Sequence, residues 1–120
     1  MDIKLTKNGM HLCYESYYGT YFRSSYSAIL ETMYNMNGRM AFDDMVSMRQ
    51  IYDSLQIPPP PGASEMGWNG ELFTIEYAQP PWIDFYVSTS IAPNGEPCIT
   101  LNYVTPPINF DCWEAFILKQ

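Results

Sequence analysis

His11 and Cys13 are the residues of this chain whose types and spacing come nearest to catalysis. On an extended strand residues two apart share a face, so the imidazole would stand where it can polarise the thiol for nucleophilic attack. Such a base must itself be oriented, and no carboxylate is placed in the sequence to orient this one. Cys13 also falls in an apolar alternation, where a free cysteine behaves as a small buried hydrophobe. The adjacent acids Asp43 and Asp44 are the other candidates, as metal ligands or as an acid–base pair. On a helix, however, neighbours diverge by about 100°. They fit better as the negative first turn of a helix, where the dipole favours them. No glycine-rich phosphate loop, HExxH or calcium-loop spacing occurs. Catalysis, a metal and a cofactor are therefore not expected.

Binding is the chemistry these residues suit better. Tyr14, Tyr17, Tyr18 and Tyr21 put four rings into eight residues, and a strand can turn only alternate ones into a core. The remainder, with Glu15 and the acids Asp43 and Asp44, would form an aromatic–acidic patch suited to a basic protein surface of the kind that grips nucleic acid. The expected partner-contact residues are thus Glu15, Tyr17, Tyr18, Tyr21, Asp43 and Asp44. Methionines 33, 36, 40, 45 and 48 form a second cluster. It reads as filling between two short helices, or alternatively as an adaptable binding face, since methionine repacks readily. Gly67-Trp68 reads as a pivot whose indole plugs a helix–sheet junction.

Composition narrows the partner. The chain carries 13 carboxylates against six Lys and Arg, a formal net charge of −7. That balance opposes direct nucleic-acid binding, which needs cations to displace phosphate counterions. A charged partner should be basic, although moderate acidity also serves solubility alone. Ten tyrosines, six phenylalanines and three tryptophans exceed what a 120-residue core can hide, so some rings should reach the surface. Cys13, Cys98 and Cys112 are odd in number and lack CxxC spacing, which disfavours a disulfide scaffold or a zinc site. With no leader-like apolar run after Met1 and no 18-residue apolar stretch, the expected setting is a reducing cytoplasm, without membrane insertion.

The elements that must position these residues follow from hydrophobic period and punctuation. Ile3 and Leu5, then Asn8-Gly9, then Met10, Leu12 and Tyr14 predict a β-hairpin over residues 2–16, with an aromatic loop or short strand around Gly19. Ser24 and Ser25 offer N-caps to a helix carrying Ile29, Leu30, Met33 and Tyr34 and stopped by Gly38. Residues 41–56 predict a second helix with Met45, Met48, Ile51, Tyr52 and Leu55 inward, ended by Ile57-Pro58. Pro58 to Gly62 reads as a stiff spacer, or as a ligand for a proline-reading module. Strands are expected at residues 72–77, 82–88 and 98–104, with a turn at Pro93-Asn94-Gly95-Glu96, and the tail around Trp113, Phe116 and Ile117 should dock back. The expected fold is one α+β domain over residues 1–120, an antiparallel sheet of about five strands packed against two helices.

A set of ordered pieces resembles an uncharacterised domain family encoded by phages and prophages of Firmicutes. They are Leu12-Cys13; Gly19 with Tyr21-Phe22-Arg23-Ser24; Gly38-Arg39-Met40; Ile51-Tyr52-Asp53 with Leu55 and Ile57; Gly67-Trp68; Asn94-Gly95-Glu96-Pro97-Cys98 with Leu101 and Tyr103; and Phe110. The resemblance spans roughly residues 9–112. It implies a soluble counterpart of longer members that carry an N-terminal hydrophobic segment, and it brings no catalytic residues. With the charge, it leads to the expectation of a non-enzymatic inhibitor of a host defence nucleoprotein effector, acting in the host bacterial cytoplasm by blocking a basic groove as anti-CRISPR proteins do. The alternatives are a virion or membrane-accessory structural domain and, more remotely, a cysteine-dependent enzyme. A homodimer is compatible with either binding role.

Overall fold

The computed structural model describes residues 1–7, 9–43, 45–71 and 81–111. The class is α+β. Among these residues the chain runs β1 (Ile3–Lys4), β2 (His11–Glu15), β3 (Thr20–Ser24), α1 (Tyr26–Asp43), β4 (Met45–Ser47) and α2 (Met48–Leu55). A 3-10 turn (Ala63–Glu65) follows, then β5 (Met66–Asn69), β6 (Phe85–Ile91), β7 (Pro97–Tyr103) and β8 (Ile108–Asn109). Five strands form one sheet in the order β1-β3-β2-β7-β6, and β4-β5-β8 form a small second sheet.

The larger sheet is mixed, not antiparallel as its sequence suggests. β2 pairs antiparallel with β3 and β6 with β7, but β1 lies parallel to β3 and β2 parallel to β7. The hairpin expected over residues 2–16 does not form. The chain crosses instead from β1 past the end of β3: the Thr6 hydroxyl donates to the Arg23 carbonyl, and Gly9 lies where a Cβ would collide with that same carbonyl. Gly9 therefore serves a close approach rather than a two-residue turn. The true N-terminal hairpin is β2–β3, closed through Ser16 to Gly19, with the Gly19 N–H donating to the Glu15 carbonyl and Gly19 at φ 76°.

Both helices differ in extent from the periodicity reading. Ser25 caps α1 as expected, accepting from the Ala28 N–H at 3.1 Å, but Gly38 does not stop it. Met36 and Met40 are buried on either side of that glycine, and their packing outweighs its cost of about 1 kcal/mol. α1 runs to Asp43, so Asp43 sits at a helix C-terminus, the end where the dipole disfavours a negative charge. Residues 45–47 are strand, and α2 begins only after Ser47, whose hydroxyl and the Gln50 side chain form a reciprocal capping box. α2 ends on Gln56 in the left-handed region at φ 63°, and the Ile57 N–H returns to the Tyr52 carbonyl. The strand expected at 72–77, Asp44, Cys112 and the tail around Trp113 lie outside the described residues.

One face of the large sheet carries the main core. Cys13, Phe22 and Leu101 point there against Ile29, Met33, Met36 and Met40 of α1, Met48, Ile51, Tyr52 and Leu55 of α2, and Trp68 and Ile83. Four of the five clustered methionines thus fill the helix–sheet seam, while Met45 is exposed. Trp68 plugs this junction, donating from Nε1 to the Thr105 carbonyl at 2.8 Å. No helix among the described residues is long and apolar enough to cross a membrane.

Candidate functional site

Strand alternation splits the tyrosine cluster between two faces. The side chain of Glu15 points inward and is 0% exposed. Its Oε2 accepts from the Tyr17 N–H at 2.7 Å, and its Oε1 from the Tyr18 N–H at 2.9 Å and the Tyr52 hydroxyl at 2.7 Å. The Tyr52 hydroxyl also meets Thr20 Oγ1 at 2.6 Å. A buried carboxylate is tolerated only when donors converge on it, and here the donors are the backbone of the β2–β3 turn and a helix tyrosine. Burial, then the Glu15 charge, pushes the Tyr52 phenol above the ordinary tyrosine range, and Tyr103 is pushed the same way for the same reasons. The hydroxyls of Tyr18 and Tyr103 are buried nearby without a well-aligned hydrogen-bond partner. This network braces the turn from inside. It corrects the expectation of Glu15 as a surface contact, because the residue has no exposed atom to offer a partner.

The catalytic candidate does not assemble. Cys13 is buried and donates to the His11 carbonyl at 3.6 Å rather than to its ring, while His11 is exposed. Burial, and then the neighbouring Cys98, pushes the Cys13 thiol up to about 11, so it stays protonated and a poor nucleophile. No group of three His, Cys, Asp or Glu side chains among the described residues is arranged to hold a metal. A cleft of about 310 Å³ beside α1 is lined by Ser24, Ser25, Thr32, Asn35 and Ser54 among others. Its Thr32 and Ser54 hydroxyls bond each other at 3.0 Å instead of converging on an open point.

Among the described residues the other face of the large sheet is partly exposed: Tyr86, Ser88 and Ser90 reach the surface, while Leu12, Cys98 and Thr100 are buried. A row runs across it from Ile3 through Tyr21, Tyr14 and Thr100 to Ser88, each paired with the next in register. Tyr14 and Tyr21 pack ring to ring at 4.5 Å, over a small satellite core of Leu12, Ala92 and Cys98 that contains no helix residue. Alongside stand Tyr86, 53% exposed, and Asn102, whose Nδ2 donates to Ser88 Oγ at 3.0 Å. The rim is an ion pair: Arg23 grips Glu96 through both nitrogens at 2.8 and 2.9 Å, pinning β3 to the β6–β7 turn and holding the Glu96 carboxyl below its usual range. Among the described residues no helix covers this face.

Of the residues expected to contact a partner, Glu15, Tyr17 and Tyr18 come together at the β2–β3 turn, where Tyr17 is 41% exposed and stacks edge-on against Tyr18. Tyr21 lies on the opposite face, and Asp43 ends α1 on a different element. The structure therefore divides the anticipated aromatic–acidic patch. Its acids are dispersed too: besides Asp43, the exposed carboxylates among the described residues, Asp2, Glu31, Asp53, Glu65, Glu71, Asp84 and Asp111, are spread along the chain. Tyr86, Ser88 and Asn102 were missed as surface residues, although the alternation Phe85, Val87 against Tyr86, Ser88 carries that signal. Tyr52 as the partner of Glu15 had no local signal.

The sequence matches a family of unknown function, DUF6353, over residues 2–110. The chain belongs to this family. No curated protein and no solved structure matches it. The DUF6353 match covers both the Glu15 network and the partly exposed sheet face, so both are parts of the family's domain.

Proposed function

We propose that this domain is a non-enzymatic protein-binding module whose contact surface is the helix-free face of its five-stranded sheet. The observation that carries the reading is the composition of that face: Tyr14, Tyr21 and Tyr86 among Ser88, Ser90 and Asn102, on a rigid scaffold. Tyrosines supply large contact area at low entropic cost, and small polar side chains supply adaptable hydrogen bonds, the mixture that protein-recognising surfaces favour. The net charge of −7 supports a basic partner, attracted over long range rather than by a local acidic strip. The resemblance to phage and prophage proteins of Firmicutes supports a more specific role, inhibition of a host defence nucleoprotein effector in the bacterial cytoplasm. The burial and raised pKa of Cys13 argue against a cysteine-dependent enzyme.

The test is capture from host lysate with the full chain, at low and at high salt, comparing wild type with Tyr86→Ala and with Tyr34→Ala as an exposed control on α1. The reading expects a basic, nucleic-acid-associated protein whose capture falls with salt and falls at least about tenfold with Tyr86→Ala but not with the control. Undiminished capture by Tyr86→Ala would refute the assigned face. Capture of virion proteins alone would replace the inhibitor with a structural role.

A further inference from the structure

β6 ends the large sheet, and among the described residues nothing pairs with its outer edge. Which of its backbone groups face outward follows from the bonds that flank it. Ala92 N–H donates to the Glu96 carbonyl and Val104 N–H to the Asp84 carbonyl, both at 2.9 Å. These pairs share the register of β6 and β7, so positions 84, 86, 88, 90 and 92 are the hydrogen-bonded ones. Phe85, Val87, Thr89 and Ile91 therefore aim their N–H and C=O groups away from β7. Natural edges are guarded by lysine, proline, bulges or brevity. β6 reads Phe-Tyr-Val-Ser-Thr-Ser-Ile over seven residues, with no charge and no proline, and Ile91 at its end is 69% exposed.

We propose that two copies of this chain pair antiparallel through β6, joining their sheets into one continuous sheet. A two-fold axis through Ser88 sets Phe85 against Ile91 of the partner subunit, and Val87 against Thr89 of the partner subunit. This register is the one that uses all four outward-facing positions of both strands at once. It also places apolar or neutral side chains opposite each other on the core-facing side, with Tyr86 opposite Ser90 of the partner subunit on the other. The argument for a second copy as the occupant is self-complementarity: in this register an uncharged strand meets its own sequence with every outward N–H and C=O paired. Two chains of net charge −7 repel, and β6 is a strip where they meet without apposed carboxylates. The nearest acid, Asp84, falls opposite Ala92 of the partner subunit. Pairing would leave the Tyr14, Tyr21 and Tyr86 face of each copy on the same side of each sheet and open, doubling the binding surface.

Sedimentation of the full chain across micromolar concentrations, with far-UV circular dichroism, tests the pairing. The wild type should be a dimer. Thr89→Pro deletes an outward N–H that β7 does not use, so it should weaken the dimer at least about tenfold with the fold intact. Ile91→Lys, at an exposed position of the same edge, should do the same by placing a charge in the strip. The axis is tested by oxidising Ser88→Cys in a Cys112→Ser background, Cys13 and Cys98 being buried. Residue 88 would face its own symmetry mate in a non-hydrogen-bonded pair, within disulfide reach, so a covalent dimer should form, whereas Tyr86→Cys should not cross-link. A monomeric wild type, a dimer that survives both edge substitutions, or absence of the Ser88→Cys cross-link overturns the proposal.

Discussion

The carboxylate of Glu15 and the hydroxyl of Tyr52 meet at 2.7 Å inside the domain, joining the end of β2 to the middle of α2 across 37 residues of sequence. Because that carboxylate also holds two N–H groups of the β2–β3 turn, its loss strands both of them and leaves the Tyr52 hydroxyl only Thr20. Glu15→Ala should cost about 3 kcal/mol, and Tyr52→Phe, which leaves the turn bonds in place, about 1 kcal/mol. Urea unfolding of both single variants and the double variant should show strong coupling, with the double costing less than the sum.

Alkaline pH should destabilise the fold earlier than surface titration would. The Cys13 thiol rises from 9.0 to about 11 on folding, because of burial first and Cys98 second, and Tyr52 is raised by burial and then Glu15. Each is an acid held neutral when folded, so the unfolded chain loses its proton first. The thiol's contribution is complete below pH 9 and is lost as pH climbs toward 11, while the phenol's is complete below pH 10 and is lost above it, at up to about 1.4 kcal/mol per pH unit for each group. Melting temperature measured from pH 7 to 11 should fall beyond pH 9 (a window set by the thiol's two pKa values), and Cys13→Ala should flatten the first part of that fall.

Two backbone positions invite stabilisation. Gly38 lies inside α1, and a Cβ there would touch nothing. Gly38→Ala should therefore stabilise by about 0.5–1 kcal/mol. Gln56 caps α2 at φ 63°, a conformation that disfavours a side chain, so Gln56→Gly should stabilise by about 1 kcal/mol. Thermal melts of the two variants check both.

Gly67 should tolerate nothing larger. A Cβ there would run into the Val46 carbonyl and the Ser47 backbone across the small sheet, and neither is free to move aside. Gly67→Ala should cost about 3 kcal/mol and also disturb the neighbouring Trp68, which a loss of its fluorescence signature on the folded protein would report.

Local chemistry made part of this fold legible. Ser25 announces α1, the Asn94-Gly95 pair turns β6 into β7 with Gly95 at φ 87°, and the methionine spacing marks the buried seam. Pairing order was not legible, because a period of two says that residues 3–5 and 11–15 are extended but not which strand each will meet. Asn8-Gly9 suggested a hairpin, yet the close approach of Gly9 to Arg23 sends β1 to the far edge of β3. Gly38 suggested a stop, yet Met36 and Met40 carry the helix through, and that extension moves Asp43 from a first turn to a last one. The site was half readable for a related reason. The tyrosine run was visible, but whether Glu15 accompanied it outward depended on Tyr52, whose identity as a partner exists only in three dimensions.

The parallel register of Cys13 with Ile99, and of Glu15 with Leu101, has a further effect on how the molecule comes into being. β2 is the central strand of the sheet, yet one of its neighbours is made only after some eighty further residues have been joined. During synthesis the β2–β3 hairpin must wait with its inner edge bare and Cys13 and Phe22 uncovered. Assembly is then governed by a late closure over a long span of chain, a step that is slow and exposes sticky intermediates.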